Sequence, residues 1–159
     1  MNVTILTVGK VKEKFYRDAI GEFEKRLSRY CKLKIVEVAD EKTPDQASET
    51  ECRMIKEKEG ERLLKAMRAD GYVICLAIDG KQPDSVQLAR KMEALAISGV
   101  SHIYFVIGGS LGLSDSVLDQ ADYRLSFSNM TFPHQLMRVI LLEQIYRSYR
   151  IINHEPYHK

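Results

Sequence analysis

Runs of consecutive apolar residues, separated by segments with helical spacing, constrain this chain more than any other feature. Val3–Val8, Tyr72–Ile78 and Ile103–Ile107 are rich in β-branched residues, as strands buried on both faces are. Between them, apolar residues recur every three or four positions, the spacing of a helix that packs one face on a core. This alternation predicts an α/β fold with a mostly parallel sheet and helices on both faces.

Capping and turn residues mark the ends of the predicted elements. Ser48 with Glu51 forms a capping-box sequence, Asp84 and Ser114 are good N-caps, and Pro133 suits a first helical turn. A turn is predicted at residues 79–83. We predict strands at Val3–Val8, Leu33–Val38, Tyr72–Ile78, Ile103–Ile107 and Leu125–Phe127, and helices at Glu13–Tyr30, Ser48–Gly71, Asp84–Ser98, Ser114–Gln120 and Pro133–Ile152.

The length of 159 residues suits a single domain spanning residues 1–159. No apolar run approaches the roughly 20 residues of a membrane span, and the N-terminus does not have the pattern of a signal peptide. Cys31, Cys52 and Cys75 are widely spaced, so we expect neither a disulfide framework nor a metal site. These features favour a cytoplasmic protein that binds no membrane and no metal.

Two loops of small residues follow predicted strands close together in the sequence. Gly108–Gly112 comes directly after Tyr104–Ile107, and Ser126–Pro133 comes after Tyr123–Leu125. In parallel sheets, ligands bind at the carboxyl ends of strands, where small residues let the backbone approach them. The second loop also carries large apolar residues that a surface loop seldom has. We therefore expect the two loops to form one pocket for a ligand with an apolar ring.

Gly108–Gly112 also matches G-x-S-x-G, the nucleophile elbow of α/β-hydrolases, with Ser110 as the nucleophile. A hydrolase elbow begins its helix directly after the serine, whereas Leu111–Leu113 intervene here before Ser114. A small serine hydrolase using Ser110 is therefore one alternative function, and a non-catalytic ribosome-binding module is a second one. A plain tight turn is the structural alternative for this motif.

The last predicted helix is too apolar for one core face, since most residues from Leu136 to Tyr146 are hydrophobic. A symmetric homodimer is the common way to cover such a surface. On that reading, charges at Leu141 and Ile145 would disrupt the dimer. The tail, Asn153–Lys159, combines Tyr157 with two histidines and a lysine, a composition that suits stacking on a base and contacting phosphate.

Several segments together resemble one known family. They are Thr7–Lys12, Phe105–Ser110, Leu125–Gln135, Glu143–Arg147 and Glu155–His158. The combination is similar to the RlmH family, small ribosomal RNA methyltransferases of the SPOUT superfamily, and it extends over essentially the whole chain. The resemblance implies an α/β fold whose C-terminal part forms a trefoil knot. It also implies a homodimer that acts on large-subunit ribosomal RNA within the assembled ribosome.

The resemblance further implies S-adenosylmethionine as the cofactor and N3 of a pseudouridine in 23S ribosomal RNA as the methyl acceptor. The positions that match the family's cofactor site are Leu76, Gly108, Phe127, Ser128, Asn129, Met130, Thr131 and Phe132. The reaction requires alignment of donor and acceptor and removal of one proton, and it requires no metal.

Three residues are candidates for direct roles in the reaction. His158 could accept the proton, Tyr157 could stack on the target base or hydrogen-bond to it, and Arg138 could offset developing charge or bind phosphate. His134 lies beside the cofactor loop, where we expect it to hydrogen-bond to the start of the last helix. The tail directly follows the predicted dimer helix, so we expect it to reach the pocket of the other subunit.

Overall fold

The computed structural model describes all residues from Met1 to Lys159 and contains a five-stranded, all-parallel sheet. The strand order is β2-β1-β4-β3-β5. The strands are β1 (Asn2–Val8), β2 (Lys32–Val38), β3 (Tyr72–Lys81), β4 (His102–Ile107) and β5 (Tyr123–Leu125), and the helices are α1 (Lys14–Leu27), α2 (Glu49–Ala66), α3 (Ser85–Ile97), α4 (Asp115–Leu118) and α5 (His134–Ile152).

Helices cover both faces of the sheet, as the apolar runs predict. On one face, α1, α3 and α5 pack on a core that includes Ile5, Phe105 and Leu141. On the other face, α2 and α4 pack on a smaller core that includes Leu6, Val106 and Val117. Neighbouring strand residues alternate between the two cores, which explains why the central strands are apolar throughout.

The predicted helix starts are confirmed. Ser48 and Glu51 form a reciprocal capping box at α2, and Asp84 forms another with Gln87 at α3. Ser114 accepts a hydrogen bond from the Val117 amide and caps α4. These caps satisfy amides that have no partner inside the helix.

Several predicted boundaries are wrong, among them the end of α1, which is Leu27 and not Tyr30. Residues 79–81, predicted as part of a turn, continue β3, because Lys81 pairs with Leu125 after an irregularity in the ladder. The last strand is Tyr123–Leu125, and Ser126 leaves it by donating its amide to the carbonyl of Lys81. Helix α2 ends at Ala66, before the predicted stop at Gly71.

Because all five strands are parallel, their carboxyl ends lie at one edge of the sheet. The glycine loop, Gly108–Gly112, follows β4 at this edge, and the second loop, Ser126–Pro133, connects β5 to α5. No helix is long and apolar enough to cross a membrane.

Candidate functional site: a cavity between two loops

The two predicted loops enclose one cavity of about 910 Å³ together with the carboxyl half of β3. Seven of the eight residues predicted to bind the cofactor line it: Leu76, Gly108, Phe127, Ser128, Met130, Thr131 and Phe132. Asn129 does not line the cavity, and its side-chain oxygen accepts a hydrogen bond of 3.0 Å from Gln82. We refer to this space as the donor cavity.

The glycine loop turns back on itself so closely that side chains cannot fit at Gly108. A Cβ atom there would lie 2.6 Å from the carbonyl carbon of Gly112 and 3.0 Å from the amide nitrogen of Leu113. The turn is closed by a 3.0 Å hydrogen bond from the Gly112 amide to the Gly109 carbonyl, and Gly112 has a φ of +87°. The wall of the donor cavity at this point is therefore main chain.

The second loop is held by its own serines. Ser126 Oγ donates to the carbonyl of Ser128 at 3.1 Å, and Ser128 Oγ accepts from the Met130 amide at 3.0 Å. Phe127 packs against the larger core, while Met130 is 73% exposed. The loop thus presents an ordered backbone and an apolar surface to the donor cavity, which suits an aromatic ring with polar edges.

His134 and Asp79 are the titratable residues that line the donor cavity, and sequence reasoning assigned neither of them to the ligand. Contrary to expectation, His134 does not bond to the start of α5: its Nδ1 is buried and has no hydrogen-bond partner. Burial, and then the nearby guanidinium of Arg138, lower the pKa of His134 below its ordinary value. The imidazole is therefore neutral around pH 7.

Arg138 lies outside the donor cavity, in contrast to the direct role suggested for it. Its side chain is 2% exposed, donates to the carboxylate of Glu37, and donates to the carbonyl of Gly9 at 2.7 Å. This arrangement ties α5 to the ends of β1 and β2. The geometry favours a structural role, since a guanidinium held this way is not free to meet a substrate.

Tyr157 and His158 follow α5 and form a polar cluster with its residues Glu143 and Arg147. Neither residue lines the donor cavity of the same chain. Tyr157 donates its hydroxyl to Glu143 at 2.9 Å, and Arg147 donates to the same carboxylate at 2.9 Å. Burial and the hydrogen bond to Glu143 raise the pKa of Tyr157. Glu143 belongs to one of the segments that resemble the family, but no local pattern indicates that its carboxylate lies at the centre of this cluster.

A second set of hydrogen bonds attaches the tail to α5 and to Tyr30. Arg150 donates to Glu155 at 2.8 Å and to the carbonyl of Pro156 at 2.9 Å. Tyr30 donates its hydroxyl to Glu155 at 2.7 Å. The tail is therefore a built surface and not a frayed end.

Glu59 is a further buried group beside the site that sequence reasoning missed. It is 4% exposed, and its Oε2 accepts a hydrogen bond of 3.0 Å from the Glu41 amide. Its Oε1 has no partner and would lie 3.0 Å from a Cβ atom on Gly109. Burial raises the pKa of Glu59. The carboxyl group therefore lies against Gly109 of the glycine loop.

Cys75 precedes Leu76 but faces away from the donor cavity, into the smaller core. Its thiol is fully buried, and Val117 O is 3.8 Å from the sulfur. Burial raises the pKa of Cys75 to about 12.

The geometry does not support a serine hydrolase. Ser110 lines the donor cavity, but no histidine hydrogen-bonds to it, and α4 begins only at Asp115. A nucleophile elbow requires both a base in contact with the serine and a helix that starts directly after it. No group of three or more metal-ligating side chains is present.

Comparison with known proteins identifies the family. Residues 1–158 match the family described as "Predicted SPOUT methyltransferase". Proteins named ribosomal RNA large subunit methyltransferase H from Bifidobacterium adolescentis and Clostridioides difficile are 65% and 60% identical over 100% of both chains. The tRNA (m1G37) methyltransferase of Aquifex aeolicus superposes with a TM-score of 0.53 at 10% identity, covering 92% of this chain and 70% of that one. The chain therefore belongs to the SPOUT methyltransferase family.

Proposed function

We propose that this protein uses S-adenosylmethionine to methylate N3 of a pseudouridine in the 23S ribosomal RNA of the large subunit. The observation that carries the proposal is the donor cavity, in which two backbone-lined loops meet at the carboxyl edge of the sheet. The names of the relatives with 65% and 60% identity support the ribosomal RNA substrate. The pseudouridine and its N3 atom come from resemblance to the family.

The donor cavity fits the proposed cofactor in size and chemistry. Its volume of about 910 Å³ lies within the ordinary range of ligand pockets. Leu76, Phe127, Met130 and Phe132 line the cavity, and we expect them to enclose the adenine ring while the main chain around Gly108 bonds to its edge. When bound, S-adenosylmethionine supplies a methyl group activated by a sulfonium. The protein's task is to orient donor and acceptor and to exclude water.

The cluster around Glu143 supports a role for the tail in orienting the target base. Arg147 can only donate hydrogen bonds, so His158 Nδ1, at 3.1 Å, must accept one. A neutral His158 then carries its proton on Nε2 and can donate to a carbonyl of the base. Proton acceptance by His158 stays a prediction, and it requires Arg147 to release Nδ1 first.

We propose that the protein works as a homodimer in which each tail serves the donor cavity of the partner. The observation in favour is that Tyr157 and His158 lie outside the donor cavity of their own chain. The interface expected at Leu141 and Ile145 needs revision, since both are 0% exposed within one chain. Leu136 and Ile140, one turn apart on α5, are half-buried and belong to neither core, so we assign the interface to them.

The trefoil knot and the cytoplasmic location belong to the same proposal. The knot is what the family resemblance implies for the C-terminal part of the chain. A substrate within the assembled ribosome would place the protein in the cytoplasm.

A calorimetric titration with S-adenosylmethionine is the first test. Saturable binding is expected, whereas a hydrolase or a simple RNA-binding module would give none. Tritiated cofactor, with ribosomes from cells that lack this gene, then tests the reaction, and mapping of the labelled nucleotide tests the position. Absence of cofactor binding would refute the proposal.

A further inference from the structure

A second cleft of about 410 Å³ adjoins the donor cavity. It lies at the carboxyl ends of β1 and β2, where Gly9 follows one strand and Ala39 and Asp40 follow the other. His134 and Gln135, the first residues of α5, line both spaces. The donor cavity and this cleft therefore share a wall.

The chemistry of the cleft differs from that of the donor cavity. Only 2 of its 10 lining residues are hydrophobic, so it does not suit an apolar ligand. Lys10 and Lys12 are exposed ammonium groups on its rim, and Glu13 and Asp40 contribute carboxylates. Glu37 also lines the cleft, but Arg138 neutralises its charge.

These groups match the parts of a nucleotide. Ammonium groups bind phosphate oxygens, and carboxylates accept hydrogen bonds from ribose hydroxyls and from base N–H groups. The volume of the cleft lies within the range of pockets for small ligands. A group-transfer reaction also requires donor and acceptor sites that touch, and the wall at His134 is the place where these two spaces meet.

We propose that the cleft binds the acceptor nucleotide of the RNA, with its phosphate on Lys10 and Lys12 and its base toward His134. The inference rests on the proposed function, because it takes the donor cavity as the cofactor site. It adds a binding site within the same subunit, at the first residues of α5, whereas the tail cluster involves Glu143 and Arg147. The phosphate contacts position the RNA, and the base passes His134 to meet the methyl group in the donor cavity.

The test compares two double variants of equal charge change. Lys10→Gln with Lys12→Gln removes the phosphate contacts, and Lys32→Gln with Lys34→Gln removes two exposed lysines on β2, outside the cleft. Co-sedimentation with unmodified ribosomes measures binding, and tritium transfer measures KM and kcat. We expect the first variant to bind ribosomes about tenfold more weakly than the parent. The slope of log affinity against log salt concentration should become shallower by roughly one for each lost phosphate contact. The control variant should bind ribosomes like the parent.

A third variant tests the cleft by filling it. Ala39→Trp places a large side chain at an exposed cleft position that does not line the donor cavity. We expect a raised KM for ribosomes with unchanged S-adenosylmethionine affinity. Parental ribosome binding and KM in both the lysine variant and Ala39→Trp would overturn the proposal. A parent protein that binds ribosomes but no cofactor would instead refute the proposed function, and co-sedimentation would still test the cleft.

Discussion

The hydroxyl of Tyr157 donates a 2.9 Å hydrogen bond to Glu143, and the Arg147 guanidinium lies 4.7 Å from the centre of the same tyrosine ring. The carboxylate and the cation thus fix the orientation of the phenol. Tyr157→Phe removes only the hydrogen bond, so we expect a lower kcat with unchanged cofactor affinity. Tritium transfer and calorimetry measure the two quantities. Tyr16→Phe on α1 is the control, and equal kcat values for both variants would count against a role for this bond.

The location of the tail outside its own donor cavity predicts complementation between subunits. One subunit lacks residues 157–159, and the other carries Gly108→Val, which fills the space beside Gly112. If the tail acts on the partner, one of the two sites in each mixed dimer is complete. Mixed dimers should then show about half of the parental activity, although each homodimer is inactive. Methylation by co-expressed, doubly tagged dimers is the measurement. Complete inactivity of the mixed dimers would argue against action across the interface.

The crowding at Gly108 predicts that even one added methyl group weakens cofactor binding. In Gly108→Ala, the Cβ atom would lie 2.6 Å from backbone of Gly112, so the loop must move. We expect roughly tenfold weaker binding or more, since forcing a methyl group into packed structure costs about 1–3 kcal/mol. Gly21→Ala is the matched control, because nothing lies within 4 Å of its added carbon. Calorimetry measures the affinity of both variants for S-adenosylmethionine, and only Gly108→Ala should bind it more weakly than the parent.

The half-buried pair on α5 predicts which substitutions separate subunits without unfolding them. Leu136→Glu with Ile140→Glu should give a folded monomer in sedimentation velocity, because these side chains contribute to neither core. Leu141→Glu should instead unfold the chain, since it buries an unpaired charge. Circular dichroism distinguishes the two outcomes. A stable dimer in the first variant would remove this face of α5 from the interface.

The raised pKa of Glu59 predicts a pH-dependent cost to stability. The folded state holds this proton more tightly than the unfolded state does, so the contribution of Glu59 falls as pH rises from its ordinary pKa of 4.5 through the raised value. Glu59→Gln should therefore show a smaller loss of stability over that window. Denaturation at several pH values measures it, with exposed Glu61→Gln on the same helix as the control. Parallel pH profiles for parent and Glu59→Gln would contradict the assignment.

Much of the fold can be predicted from local sequence, because helix caps and continuous apolar strands depend on neighbouring residues. Ser48, Asp84 and Ser114 cap helices where predicted. The extension of β3 to Lys81 depends instead on pairing with Leu125, a partner far along the chain. The sequence around residues 79–83 has the composition of a turn, so local rules favour the wrong structure there.

The candidate site also has some features that local sequence predicts and others that depend on distant residues. Loops of small residues after strands identify the donor cavity, because backbone access is a local property. Other contacts join distant segments, and no spacing in the sequence indicates them. Arg138 pairs with Glu37, and Glu59 lies against Gly109. Arg138 therefore looks functional in the sequence, whereas the contacts of its buried side chain with Glu37 and Gly9 favour a structural role in the fold.

The burial of Cys75 in the smaller core keeps its thiol away from the proposed methyl donor. A sulfonium methyl donor alkylates thiolates readily, and Leu76, the very next residue, lines the space proposed to hold that donor. With a pKa of about 12 and its side chain in the smaller core, on the opposite face of the strand from Leu76, Cys75 stays protonated and out of reach at neutral pH. Because successive side chains of a strand point to opposite faces, the Cys75 thiol and the proposed sulfonium donor are kept apart although Cys75 and Leu76 are adjacent. The protein can therefore keep a cysteine at this position without methylating itself.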